Sequence, residues 1–189
     1  MPPQIWLIRH GETEWSLSGA HTGRTDLPLT PEGERKAAAL RPALSAQDFK
    51  LVLTSPMQRA RRTCELAGLG GAAQVDPNLC EWNYGDYEGR STPDIHRDRP
   101  GWSLFRDGVP NGETIDEVAA RARAVIDRAV AAGGDVALFA HGHILRILGA
   151  CWLQLPAADA RLFFLGTAGV SVLGHEHETR VIVRWNLQQ

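Results

Sequence analysis

Short apolar runs recur along the chain at Ile5 to Ile8, Lys50 to Thr54, Val136 to Ala140, Gly169 to Gly174 and Val181 to Trp185, each rich in β-branched or aliphatic residues. Runs of this length bounded by polar or glycine residues predict buried strands. Between them the period lengthens. Thr30 before Pro31 predicts a helix start, with alanine and leucine at helical spacing until Pro42 kinks or ends it. Ser55-Pro56 repeats that signal, and Met57, Ala60, Cys64 and Ala67 mark one apolar face. Thr114 and Glu117 form a capping-box pattern ahead of an alanine-rich helix running through Ala132, which Gly133-Gly134 stops.

Helices interleaved with buried strands predict an α/β fold with three layers: a mostly parallel central sheet covered by helices on both faces. Two connections are long, one near Thr22 and one from Glu81 to Gly112. Long loops in a compact fold commonly carry function, so these are expected to wall a site above the strand ends. A chain of 189 residues without linker, repeat or low-complexity tract is read as a single domain over 1–189.

Charge narrows the partners. With 20 basic and 22 acidic side chains, no global field favours nucleic acid or a membrane surface, so an anion site must be local. No apolar run approaches the length of a membrane span. The three cysteines, Cys64, Cys80 and Cys151, show no close pairing, and the amino terminus lacks a basic segment followed by an apolar core. A cytoplasmic protein with free, buried thiols is the expectation.

Chemistry gathers where two predicted strands end. Arg9-His10-Gly11 follows the first apolar run, and Ala140-His141-Gly142-His143 follows Val136 to Phe139. Histidine beside glycine at the carboxyl edge of a parallel sheet points to a ligand site there. Arginine forks suit phosphate oxygens, and a neutral imidazole can attack phosphorus without first losing a proton. Arg9, His10, Arg59, Glu81 and His141 make such a set if the fold brings them together.

The motifs Arg9-His10-Gly11-Glu12-Thr13-Glu14-Trp15, Thr22-Gly23, Leu29 to Gly33, Thr54 to Ala60, Glu81 to Gly89 and His141-Gly142-His143 occur in one order along the chain. Taken together they resemble the histidine phosphatase superfamily, which includes phosphoglycerate mutases. The resemblance implies a phosphoglycerate mutase-like fold and a phosphatase that needs no metal or other cofactor. It implies His10 as the phosphorylated nucleophile, Arg9, Arg59 and His141 around the phosphoryl group, and Glu81 as the acid and then base. It adds Ser16, Thr22, Gly23, Tyr84 and the Gly142 amide as substrate contacts.

Within the superfamily, Glu81 to Gly89, Trp102 to Thr114, Phe139 to His143 and Ala168 to His177 are similar to the fungal-type sedoheptulose bisphosphatase branch. That implies a small-molecule sugar phosphate or bisphosphate as substrate, and leaves a homo-oligomer open. Dedicated mutases of the family carry a longer insertion with a lysine and an arginine pair, whereas Arg90 to Asp107 contains neither. Phosphoglycerate mutase and alpha-ribazole phosphatase remain alternatives, as do a zinc site at His141, His143, His175 and His177 and a non-catalytic phospho-ligand module. Arg97, Arg99, Arg106, His175 and His177 are read as surface charge, and Trp82 and Trp102 as either pocket-mouth or core aromatics.

Overall fold

The computed structural model describes residues 3–188. Six strands form one sheet in the order β3-β2-β4-β1-β5-β6: β1 (Ile5–Arg9), β2 (Leu51–Thr54), β3 (Ala73–Val75), β4 (Val136–Ala140), β5 (Val170–Glu176) and β6 (Thr179–Leu187). The pairs β1 with β4, β4 with β2, and β2 with β3 are parallel, while β5 runs antiparallel to both neighbours. The helices are α1 (Glu14–Ser18), α2 (Pro31–Ala39), α3 (Arg41–Ser45), α4 (Gln58–Leu66), α5 (Thr92–Asp98), α6 (Leu104–Asp107), α7 (Ile115–Ala131) and α8 (Gly142–Trp152).

Side chains alternate across a strand, so each central strand feeds two cores. Ile5, Leu7, Leu53, Val136 and Leu138 point to one face, where they pack with Val118, Ala122, Val125 and Ile126 of α7 and with Ile144 and Leu148 of α8. Trp6, Ile8, Val52, Ala137 and Phe139 point to the other, against Leu40, Leu44 of α3 and Cys64 of α4. This is the three-layer arrangement that the strand and helix patterns predict. The capping box at Thr114 and Glu117 forms, and α7 stops one residue before its cap at Ala132, with Gly133 at φ 70°. Among the described residues no helix is long and apolar enough to cross a membrane.

Several local expectations change. The chain after Ser55-Pro56 does not enter a helix at once: α4 begins at Gln58 with Met57 as its cap residue, and no side chain caps it. The Ser55 hydroxyl instead accepts from the Met57 amide at 3.3 Å and faces His141. Pro42 does not simply end a helix, because α2 stops at Ala39 and α3 restarts with Pro42 in its first turn. The expected loop from Glu81 to Gly112 contains α5 and α6, and Trp82 and Trp102 are both buried in the core there.

All three thiols are free and buried. Burial pushes the Cys64 thiol up to about 12, and raises Cys80 and Cys151 as well.

Candidate active site

Strands β2, β4 and β1 are neighbours, and the residues just past their carboxyl ends are Ser55, His141 and His10. Backbone bonds extend the ladder to these positions: the His10 amide donates to Ala140 O at 2.9 Å, and the Ser55 amide to Phe139 O at 2.9 Å. Two histidines far apart in sequence therefore come within 5.1 Å, ring centre to ring centre. Gly11 is required beside them, since a Cβ there would sit 2.5 Å from Gly33 O at the start of α2.

A cavity of about 230 Å³ opens above these strand ends, lined at its closed end by Arg9, His10, Glu81 and Gly142. His10 is only 5% exposed. Its Nδ1 lies 2.6 Å from Gly11 O. A carbonyl can only accept, so Nδ1 carries the proton and Nε2 keeps its lone pair. Burial first, then the Arg9 and Arg59 guanidiniums, hold this imidazole well below the usual histidine range, so the ring is neutral.

His141 has the opposite tautomer. Its Nδ1 accepts from Arg59 Nε at 3.1 Å, which leaves Nε2 to donate to Ser55 Oγ at 2.7 Å. Burial, followed by Arg59, His10 and Arg9, holds it too well below the usual range. Arg59 is fully buried and binds three loop carbonyls as well, those of Thr25 at 2.8 Å, Thr22 at 3.2 Å and Gly23 at 3.0 Å. The same loop is held from the other side by Glu88, whose carboxylate accepts from the Gly23 and Thr25 amides.

Arg9 is tied more loosely. Nη1 donates to Leu165 O at 2.5 Å, while its buried Nε has no partner among the described residues. Glu81 is placed by α8: Oε2 accepts from the His143 amide at 2.9 Å, and Oε1 from the Ile144 and Trp82 amides, each at 2.9 Å. The His143 and Ile144 amides belong to the first turn of α8, where no helical carbonyl can satisfy them. Gly142 is the first residue of α8, so its amide likewise lacks a helical acceptor, and it lines the cavity.

Farther out the walls are Ser16, Thr22, Tyr84, His21, His143 and Arg146. Ser16 belongs to the α1 capping box, its hydroxyl donating to Thr13 O at 2.9 Å. Tyr84 Oη lies 2.5 Å from His143 Nδ1. His21 stacks parallel to His143 at 6.2 Å and bonds Arg90 O through Nδ1. Burial is the largest cause holding both His21 and His143 below the usual range, and Arg146 adds to it at His143.

Of the ten residues expected from the sequence, Arg9, His10, Ser16, Thr22, Glu81, Tyr84 and Gly142 line the cavity. Arg59 and His141 stand directly behind it in contact with each other. Gly23 is not in the cavity lining: its amide is bonded to Glu88, and a Cβ there would meet Trp82 O at 2.5 Å. Arg97, Arg99, Arg106 and His177 are exposed outside the cavity, and His175 packs against Trp152. Among the described residues no group of three or more His, Cys, Asp or Glu side chains is placed to hold a metal, which removes the four-histidine zinc arrangement. His21 and Arg146 are among the lining residues that sequence reasoning missed, with Gly19, Ala20, Thr92 and Leu165.

The sheet order, the paired histidines and the arginines at the cavity define a phosphoryl-binding type of site. Comparison with known proteins agrees with that class. The profile of the histidine phosphatase superfamily (branch 1) matches residues 5–188. An acid phosphatase of Mycobacterium tuberculosis is 38% identical over 181 residues, covering 94% of this chain and 89% of that protein. Sedoheptulose 1,7-bisphosphatase of Saccharomyces cerevisiae is 36% identical over 188 residues, covering 82% of this chain and 69% of that protein. The solved structure of a Mycobacterium tuberculosis open reading frame product superposes with a TM-score of 0.94 at 36% identity, covering 98% of each chain. The chain belongs to the histidine phosphatase superfamily.

Proposed function

We propose that this protein hydrolyses phosphate monoesters of small sugars through a phosphohistidine on His10. The observation that carries the reading is the neutral His10 ring, whose Nδ1 is committed to Gly11 O so that Nε2 is the free nucleophile. In the first step Nε2 attacks phosphorus, the N–P bond forms, and the P–O bond to the alcohol breaks. Glu81 gives its proton to the departing oxygen. In the second step Glu81 takes a proton from water, the water oxygen bonds phosphorus, and the N–P bond breaks to release inorganic phosphate.

Fixed cations do the rest. Arg9 and Arg59 offset the charge on the equatorial oxygens, His141 holds Arg59 in place from behind, and the Gly142 amide supplies a donor at the start of α8. Ser16, Thr22 and Tyr84 contact the ester from the walls. Water is read as the acceptor because Arg90 to Asp107 lacks the lysine and adjacent arginine pair of the dedicated mutases. The names of the two relatives, an acid phosphatase and a sedoheptulose 1,7-bisphosphatase, support a sugar phosphate substrate. Near-balanced charge and three free thiols support a cytoplasmic protein acting on small esters rather than on nucleic acid.

A single-turnover reaction with a labelled phosphate ester, quenched in alkali where the N–P bond survives, tests the scheme. Label should appear on the wild-type protein and be absent from His10→Ala. Hydrolysis that persists in His10→Ala would overturn it.

A further inference from the structure

Glu81 is held at two levels. Its carboxylate accepts from three amides. Its main chain is held separately, by an ion pair that lines no part of the cavity: Arg121 on α7 and Glu113 just ahead of that helix. The segment calls for such a hold, because Cys80 to Tyr84 belongs to no helix or strand and its carbonyls have no ladder partners.

Arg121 supplies the missing donors with its whole guanidinium. Nη1 donates to Asn78 O at 2.7 Å and to Cys80 O at 2.9 Å, and Nη2 to Glu81 O at 3.5 Å. Nε and Nη2 also grip the two oxygens of Glu113, each at 2.9 Å, so all five N–H groups are engaged. Glu113 carries the hold past the acid. Its Oε2 accepts from the Asn83 amide at 2.8 Å, while its main chain accepts from Trp82 Nε1 at 2.8 Å and donates to Asn83 O at 3.0 Å. The two side chains are 18% and 16% exposed, so water competes little for these bonds. A planar fork that reaches three carbonyls and a carboxylate at once has no equivalent in the point charge of lysine.

The bonds fall on residues to either side of Glu81, and the group whose place they decide is the carboxylate that must meet the leaving oxygen. Displacing a reacting group by about 1 Å lowers a rate about a hundredfold. We propose that Arg121 and Glu113 are positioning residues for the proton transfers of Glu81, fixing the main chain from Cys80 to Asn83 so that the carboxylate stands where the leaving oxygen, and then water, arrives. This rests on the phosphatase reading. Neither residue touches substrate.

The test uses the leaving group. The alkoxide leaving p-nitrobenzyl phosphate must be protonated as it departs, whereas p-nitrophenolate leaves without a proton. Arg121→Lys keeps a charge opposite Glu113 and gives up the fork; Glu113→Gln keeps an acceptor oxygen and gives up the charge. In both variants single-turnover release of p-nitrobenzyl alcohol should slow about a hundredfold and that of p-nitrophenol less than about threefold, the same pattern as Glu81→Gln. Equal losses on the two esters, or no loss on either, would overturn the positioning role. So would failure of both variants to fold, since it assigns the pair to the fold as a whole. A wild-type protein that releases neither alcohol, or a Glu81→Gln variant that treats the two esters alike, would instead sink the phosphatase reading or its acid, and the positioning role with it.

Discussion

At the His10 end of the cavity His10 and His141 follow strand ends, Glu81 sits in a loop against the start of α8, and each is held by buried hydrogen bonds: His10 to Gly11 O, His141 to Ser55 and Arg59, Glu81 to three amides. At the Arg146 end the walls come from the loops around His21 and Tyr84 and from the side of α8, joined by side-chain contacts such as Tyr84 with His143. The first end is suited to a reaction whose geometry must not vary. The second is suited to recognising whatever is attached to the phosphoryl group. A fold that puts one end of a cavity at the sheet edge and the other among loops allows the two ends to vary separately.

The sharpest break of that comparison is His10→Ala, which should lower kcat by at least about ten-thousandfold on every ester, singly or doubly charged. Arg9→Ala and Arg59→Ala should each reduce turnover about a hundredfold, measured as kcat for phosphate release. Thermal melts should separate the two. Loss of Arg59 leaves three loop carbonyls and His141 without a donor, costing about 3 kcal/mol or roughly 6–12 °C. Arg9 has one protein contact and an unpaired Nε, so its loss should cost less than about 1 kcal/mol.

Glu88→Ala releases the Gly23 and Thr25 amides from behind the loop that Arg59 grips. A roughly tenfold fall in kcat with about 2 kcal/mol of lost stability is expected; unchanged kcat would show that Arg59 keeps its place unaided. At the far end, Tyr84→Phe should raise KM about threefold with kcat nearly constant, because it removes one hydroxyl and leaves His143 Nδ1 alone.

The smallest effect is on pH. His10, His21, His141 and His143 are held below their ordinary range by burial above all. As pH drops below about 6.5, the unfolded chain takes up protons that the folded one refuses, so stability is greatest above that value and declines beneath it. Melts from about pH 8 to pH 5 should show Tm falling by several degrees, less so when phosphate occupies the site.

Much of this was legible in the sequence. Strand ends were marked by Arg9-His10-Gly11 and His141-Gly142, and their convergence followed from a parallel sheet. Two things were hidden. The strand Ala73–Val75 is three residues long with two exposed, too short for a hydrophobic pattern. Helix α8 is apolar nearly all round, with nine buried residues between Gly142 and Trp152, so it lacks the polar stripe that announces a surface helix. Recognising that helix would have exposed Arg146 at the i+4 position from Gly142 and explained the amides that hold Glu81. Gly23 stands outside the lining for a reason the letters do not carry, because a glycine whose amide is bonded within the protein and one whose amide faces a cavity read alike in sequence.

The protonated state of the thiols has a practical side. With Cys64 held near 12 and Cys80 and Cys151 raised by burial, almost no thiolate is present at neutral pH, and thiolate is the form that alkylating reagents and peroxide attack. Iodoacetamide can therefore be added to a crude extract to silence phosphatases that depend on a reactive cysteine, while this enzyme keeps turning over.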